Sequence, residues 1–203
     1  MKPSCDRLQQ AIQQLDRATD TPELVRATQT LCNLENPDAA PTLVKVLGFN
    51  NPAVAAIATQ GLIALGRDIV PILLESMDAR NYGARAWVVK ALAALKDPRG
   101  LGLLERALHS DIAPSVRRSA ARGLADLKLD GTTEMATNLH RCLQALFKAA
   151  DDDEWVVRYS AAFGLEQRLL QGQATDVLTE QARSRLNHLA SSPCLCPAGL
   201  KAC

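Results

Sequence analysis

The sequence predicts an all-α protein in which helical hairpins stack into a right-handed α-solenoid. Apolar residues make up 47% of the 203 residues, which is enough for a continuous core. Aromatic residues make up only 3%, and this composition suits close-packed helices better than a β-sandwich or a β-barrel. The third observation is self-similarity, because residues 27–34 (ATQTLCNL) recur as residues 58–65 (ATQGLIAL), an offset of 31. Together these features favour a repeat protein made of helices.

The repeat can be followed along most of the chain through one leucine. It recurs with spacings of 31, 30, 32 and 41 residues, at Leu31, Leu62, Leu92, Leu124 and Leu165. Such spacings are typical of HEAT-like repeats, each of which is a pair of antiparallel helices. About five repeats are therefore predicted. They must stack, because one hairpin cannot cover its own apolar face.

Proline, asparagine and aspartate mark the predicted helix boundaries. Loops that begin at Asn36, Gly66 and Asp97 precede three of the first helices, and Pro41 and Pro71 fall in the first turn of two of them. The second helices follow polar segments that contain Asn51, Asn81, Asp111 and Asp152. We expect these four side chains to cap the free amide groups at the helix starts.

Two of the second helices carry apolar residues at three- and four-residue spacing, which predicts one buried stripe on each. The stripes are Ala84, Val88, Ala91, Leu92 and Leu95, and Val116, Ala120, Gly123, Leu124 and Leu127. Ala91, Gly123 and Gly164 precede the repeated leucine, where a lack of bulk would let neighbouring helices approach closely. Cys32 and Cys142 occupy apolar positions and are expected to be buried.

The charge balance and the start of the chain exclude several classes of protein. A formal net charge of +1 gives no field for bulk attraction to nucleic acid or to an anionic membrane. No apolar run reaches the roughly 18 residues that would cross a bilayer, and the polar start lacks the apolar stretch of a signal peptide. A cytoplasmic location without membrane insertion is therefore expected.

The predicted domain boundary lies near residue 190. Residues 1–190 form the predicted repeat domain, and residues 191–203, which lack a helical stripe, form a predicted flexible tail. The tail holds Cys194, Cys196 and Cys203, whose spacing is that of neither a disulfide framework nor a structural zinc site. No metal site is predicted.

Motifs for independent catalysis are missing from the sequence. It has no Gly-rich phosphate loop between a strand and a helix, no histidine pair at metal-ligand spacing and no recognisable serine or cysteine triad. His109, His140 and His188 are scattered and are expected at helix caps or on the surface. No cofactor is predicted.

The second helices, aligned on the repeated leucine, carry a ladder of arginines. Arg85, Arg117 and Arg158 occupy one equivalent position. Such a ladder suits binding of an anionic ligand. The alternative is a structural role, because Asp111 and Asp152 lie at matched positions from which they can bond an arginine of the adjacent repeat.

Aromatic residues cluster in the same part of the repeat. Of the seven in the chain, five lie in just two second helices: Tyr82, Trp87, Trp155, Tyr159 and Phe163. Tyr82 and Trp155 hold equivalent positions near the helix starts, where such side chains commonly expose a polar edge. The clustering favours a binding face, with ordinary packing as the alternative.

Two segments go beyond generic HEAT character. Residues 81–92 (NYGARAWVVKAL), followed by residues 97–101 (DPRGL), and residues 154–159 (EWVVRY) resemble the cyanobacterial phycobilin lyase family of the E/F type. The length and residues 113–118 (APSVRR) are similar to those of its smaller F subunit. The resemblance implies that an E/F heterodimer attaches phycocyanobilin through a thioether to a cysteine of the phycocyanin α subunit. Phycocyanobilin is then the substrate, and the reaction needs no cofactor.

The resemblance also implies site residues. The implied ligand-binding residues are Tyr82, Arg85, Trp87, Arg117, Trp155, Arg158 and Tyr159. Arginines suit the bilin propionates and aromatic rings suit its conjugated system. The candidates for catalysis are Tyr82, Asp152 and Asp153, of which the two aspartates can accept pyrrole N–H bonds.

Other functions stay open at the level of sequence. The Asn-His-Cys motif of a pigment-isomerising branch is not found, because Leu139 and Arg141 interrupt Asn138, His140 and Cys142. Isomerisation is therefore not expected. The alternatives are a HEAT protein that removes bilins or assists phycobilisome disassembly, and a HEAT adaptor that binds protein partners without pigment chemistry.

Overall fold

The computed structural model describes residues 3–77, 81–131, 133–172 and 174–191, without the side chains of residues 3–5 and of Tyr82. These residues form eleven α-helices and three short 3-10 helices, with no β-strand among them. The prediction of an all-α chain of helical hairpins is therefore confirmed. The chain divides into two compact units, Met1–Leu95 and Lys96–Cys203. The predicted tail lies outside the described residues from Ser192 onward.

The first unit contains three hairpins. Its helices are α1 (Pro3–Arg17), α2 (Thr21–Cys32), α3 (Ala40–Leu47), α4 (Pro52–Ala64), α5 (Val70–Glu75) and α6 (Tyr82–Leu95). Short 3-10 helices, Pro37–Ala39 and Arg67–Ile69, lead into α3 and α5. The second helices pack in chain order, α2 against α4 and α4 against α6. They form one layer of this unit.

The second unit contains two hairpins and a final helix. Its helices are α7 (Leu101–Ser110), α8 (Pro114–Asp126), α9 (Met135–Ala149), α10 (Trp155–Leu170) and α11 (Asp176–Ser191), with the 3-10 helix Pro98–Gly100 before α7. Helix α8 packs along α10 and α7 packs against α9, while α11 contacts both α9 and α10. The described residues of the two units therefore form five hairpins, the number that the sequence predicts.

Asparagine side chains cap two of the second helices as predicted. The Asn51 carboxamide oxygen accepts from the amides of Ala53 and Val54, and that of Asn81 accepts from Ala84. Each carboxamide nitrogen also reaches the preceding hairpin, where Asn81 donates to the Gly48 carbonyl at 3.2 Å. One side chain thus starts a helix and joins it to its neighbour.

The expected helix caps at Asp111 and Asp152 are wrong. Asp111 accepts from the amide of Ala113, and Asp152 accepts from the amide of Glu154. Both amides precede their helices, since α8 begins at Pro114 and α10 at Trp155. When an aspartate side chain accepts a hydrogen bond from the amide two residues later, it closes a turn in the loop. The carboxylates therefore hold the loops that lead into α8 and α10.

The core follows the predicted stripe. The five repeated leucines are each at most 1% exposed. Small residues before the leucine permit close approach, because a Cβ built on Gly164 would lie 2.8 Å from Cδ2 of Leu146. A Cβ on Gly61 would overlap the Cys32 thiol. Cys142 is buried as predicted, whereas Cys32 is only partly buried.

Arg168 is a fully buried arginine that the sequence did not predict. Its guanidinium donates to the carbonyls of Leu124 and Leu127, at 2.6–3.1 Å, and to the Gln171 side chain at 2.8 Å. Burial lowers the pKa of Arg168, but these acceptors compensate the buried charge. The carbonyls belong to the C-terminal end of α8, which a cation stabilises. Arg168 thereby joins α10 to the end of α8.

None of the described helices is by itself long and apolar enough to span a bilayer. Two neighbouring segments, Pro52–Ala64 and Arg67–Glu75, are long and apolar enough for a membrane span only when taken together, and the chain bends by 109° between them.

Candidate functional site

The first unit holds three of the predicted site residues, all in α6. Arg85 is buried, with 8% of its surface exposed. Trp87 is half-buried, and the Lys90 ammonium lies 4.8 Å from the centre of its ring. Tyr82 begins α6, but its side chain lies outside the described residues. The burial of Arg85 favours the structural alternative for this member of the arginine ladder.

In the second unit Arg117 and Asp152 form a two-pronged ion pair. Nε of Arg117 lies 2.7 Å from one carboxylate oxygen of Asp152, and Nη2 lies 2.8 Å from the other. Nη1 of Arg117 also donates to the Asp111 carbonyl at 2.9 Å. The side chains of the pair are only 15% and 12% exposed. Arg117 therefore bonds the aspartate of the following repeat, which is the structural role considered for the ladder.

Arg158, which lies in α10, also bonds the loop that contains Asp152. Its Nη1 donates to the backbone carbonyls of Asp152 and Asp153, at 2.8 and 2.9 Å. The loop before α10 is thus held by an arginine from α8 and by one from α10. The carboxylate of Asp153 stays exposed.

Electrostatics keep the Asp152 carboxyl ionised. Burial by itself would raise its pKa, but the hydrogen bonds from Arg117 and from the Glu154 amide outweigh burial and lower the pKa below its ordinary value. The same hydrogen bond raises the pKa of Arg117. A general acid or base works best with a pKa near the operating pH, so Asp152 is poorly suited to proton transfer near neutral pH.

Helix α10 presents a row of aromatic side chains at four-residue spacing. Trp155 is 44% exposed and Tyr159 is 53% exposed, whereas Phe163 is half-buried. Residues four apart lie on one face of a helix. The guanidinium carbon of Arg122, from α8, lies 4.0 Å from the Phe163 ring centre and 5.9 Å from that of Tyr159. We call these four residues, Trp155, Tyr159, Phe163 and Arg122, the α10 aromatic face.

Sequence reasoning predicted Trp155 and Tyr159 as site residues, placed Phe163 only in the aromatic cluster, and missed Arg122. Arg122 lies outside the ladder register of Arg117, and its contacts are with residues of the following repeat. Its position four residues before Asp126 and five after Arg117 gives no local signal of an aromatic neighbour.

A wide groove lies between α9 and α11. Its volume is about 1230 Å³, and charged side chains of both signs line it, among them Lys148, Asp151, Asp176, Glu180 and Arg185. None of the predicted site residues borders it. The described residues also contain no cluster of His, Cys, Asp or Glu able to hold a metal ion. Because it carries the exposed rings of Trp155 and Tyr159, the α10 aromatic face is taken as the candidate site in this unit.

Comparisons with known proteins agree with the repeat architecture and identify relatives of this chain. Residues 50–125 match the HEAT repeat family. The chain is 59% identical over 162 residues to the bilin biosynthesis protein RpcF of Synechococcus sp. WH8020, covering 80% of this chain and 77% of that protein. It is 42% identical to the phycocyanin alpha phycocyanobilin lyase CpcF of Synechocystis sp. PCC 6803, covering 84% and 79% of the two chains.

A solved structure gives a match of similar extent. In the complex of CpcE and CpcF of phycocyanin lyase from Nostoc sp. PCC 7120, one chain superposes with a TM-score of 0.72 at 40% identity. The match covers 78% of this chain and 92% of that one. Its extent and identity go beyond a likeness of fold alone.

The ion pair predicts a pH-dependent stability. At pH 7 the variant Asp152→Asn should have a free energy of unfolding lower by about 1–3 kcal/mol, because it leaves Arg117 without its charged partner. The folded pKa of Asp152 is depressed, so its contribution is present above the ordinary pKa of about 3.9 and is lost as the pH falls through the folded value. Denaturation at several pH values between 7 and 3 measures the difference.

Asp153→Asn is the matched control, since its exposed carboxylate should change stability by less than about 0.5 kcal/mol. A deficit for Asp152→Asn that stays the same at pH 7 and pH 3 would contradict the role of the ion pair.

Proposed function

Because the chain belongs to the family of F subunits of phycocyanobilin lyases, we propose that it is one half of a heterodimeric bilin lyase. Its partner is an E-type subunit, and its protein substrate is the phycocyanin α subunit. The complex attaches phycocyanobilin through a thioether to a cysteine of that subunit. The observation that carries the proposal is the match to one chain of the solved complex of CpcE and CpcF of phycocyanin lyase, together with the identity to CpcF. The proposed compartment is the cytoplasm.

The chemistry divides between the lyase and the protein that it modifies. The substrate thiol adds to the ethylidene carbon of ring A, so that a carbon–sulfur bond forms and the thiol proton is transferred to the conjugated pigment. The nucleophile therefore belongs to the phycocyanin α subunit. What the lyase supplies is a bound pigment in a fixed orientation, with the reacting carbon presented to the thiol.

The α10 aromatic face suits the task of binding the pigment. Trp155 and Tyr159 offer exposed rings against which a conjugated, planar molecule can stack. The exposed carboxylate of Asp153 is suited to accept pyrrole N–H bonds at the start of the same helix. Arg117, Asp152 and Arg158 then act as positioning residues, because they fix the loop that leads into α10.

The first unit contributes further candidates for pigment contact. The family resemblance implies Tyr82 and Trp87, and the Trp87 ring is partly exposed beneath Lys90. Arg85 is buried, and we assign it a structural role. The relatives described above are named as a lyase and as a bilin biosynthesis protein. These names support neither of the two alternatives, which are the removal of bilins and an adaptor without pigment chemistry.

Co-expression tests the proposed activity. Apo-phycocyanin α subunit should become covalently coloured when it is produced with phycocyanobilin, an E-type subunit and this chain. Denaturing electrophoresis with fluorescence detection measures the covalent product. Omission of this chain, or of the E-type subunit, should remove most of the product. Equal product without this chain would refute its role as a lyase subunit.

The exposed aromatic residues should affect transfer without affecting folding. The double variant Trp155→Leu/Tyr159→Leu should lower the rate of chromophore attachment about tenfold, because two stacking contacts are lost. Its free energy of unfolding should stay within about 0.5 kcal/mol of the wild type, since both side chains are exposed.

Leu170→Ala is the control on the same helix, because Leu170 is 74% exposed and lies outside the α10 aromatic face. Attachment at the wild-type rate by the double variant would show that pigment binds elsewhere.

A further inference from the structure

Arg122 differs from the other arginines of the second unit in what surrounds it. Its guanidinium lies over the rings of Phe163 and Tyr159, and its Nε is buried without a hydrogen-bond partner. No ion pair joins Arg122 to another of the described residues. A guanidinium carries five N–H donors, and buried donors are nearly always satisfied in native proteins. Because Nε is buried, the donors of Arg122 available for a ligand are its Nη N–H groups, which have no hydrogen-bond partner among the described residues.

Two other arginines, Arg168 and Arg117, show how the same fold satisfies this group when its role is structural. Arg168 donates hydrogen bonds to carbonyls at the end of α8, and two nitrogens of Arg117 donate to the Asp152 carboxylate. Each of the two is held by oxygen atoms of the protein. Arg122 has aromatic rings in that place, which hold the guanidinium by cation–π contact, and its Nε has no hydrogen-bond partner among the described residues.

The rings hold Arg122 ready for binding. Stacking at 4.0 Å on Phe163 restricts the side chain before any ligand arrives, which reduces the entropy lost on binding. Helical rise places Trp155 about 12 Å along α10 from Phe163, with Tyr159 between them. The α10 aromatic face therefore combines one preorganised cation with an extended aromatic surface.

We propose that Arg122 binds a propionate carboxylate of the tetrapyrrole whose conjugated system lies on Trp155 and Tyr159. This inference rests on the proposed function. The ligand must be anionic, to pair with the guanidinium, and planar and conjugated, to use the exposed rings; an open-chain tetrapyrrole with propionate groups meets both requirements. A carboxylate of the protein substrate meets only the first. Arg122 is then a binding residue that orients the pigment.

The test uses two forms of the pigment, the free diacid and the dimethyl ester, in which both carboxylates are blocked. Each is titrated into the heterodimer of this chain with an E-type subunit, without acceptor protein, and binding is followed by the shift in pigment absorption. Arg122→Gln should weaken binding of the diacid about 10- to 100-fold, which is the loss expected for a charge-assisted hydrogen bond. Binding of the ester should be the same in Arg122→Gln and in the wild type.

Two further variants complete the design. Arg122→Lys keeps the charge and should retain part of the preference for the diacid. Arg183→Gln removes an exposed arginine of α11 and should bind both forms like the wild type. Melting temperatures show whether each variant is folded. If Arg122→Gln does not fold, Arg122→Lys is compared instead, and an unaltered ratio of diacid to ester affinity in that variant counts against the proposal.

Three outcomes would overturn the inference. One is equal weakening of diacid and ester, which shows that Arg122 only supports the rings. Another is unchanged binding of both forms. The third is unchanged pigment binding with weaker binding of the apo-phycocyanin α subunit, which assigns Arg122 to a protein carboxylate. Failure of the proposed function is distinct, because a wild-type complex that binds the diacid through Arg122 but forms no covalent product refutes only the lyase activity.

Discussion

The ion pair between Arg117 and Asp152 is the interaction on which the geometry of the candidate site depends. It joins α8 to the loop before α10, and the same aspartate accepts the Glu154 amide one residue before the helix begins. Arg158 then bonds the carbonyls of that loop. Trp155 is the first residue of α10. These bonds fix the loop before it, and they therefore fix where the Trp155 side chain leaves the helix. A bond between repeats therefore also positions the exposed aromatic side chains.

Three arginines of the second unit have three roles, and the surroundings decide which. Carbonyl oxygens at the end of α8 surround Arg168, a carboxylate meets Arg117, and aromatic rings meet Arg122. The first two environments neutralise or disperse the positive charge within the protein, so they stabilise the fold. In the third, the buried Nε of the guanidinium has no hydrogen-bond partner among the described residues. The pigment-binding role proposed for Arg122 rests on this difference.

The repeat pattern predicted the parts of the fold that depend on local sequence. Leucine spacing identified the hairpins and the core, and the caps at Asn51 and Asn81 followed from their positions before the helices. Partners distant in sequence were harder to predict. Arg168 meets carbonyls 41 and 44 residues away, and a carbonyl can belong to any residue type. Arg85 and Arg117 share a repeat position and are both largely shielded from solvent, and the Asp152 partner of Arg117 lies 35 residues away in the sequence.

The most direct test is a structure of the heterodimer with phycocyanobilin bound, at a resolution that shows the propionate groups. It would show where the pigment lies relative to α10 and to Arg122. The interactions described above predict that the conjugated system lies against Trp155 and Tyr159, with one propionate within hydrogen-bond distance of the Arg122 guanidinium. A pigment that is fully bound without contact to α10 would contradict this assignment of the site.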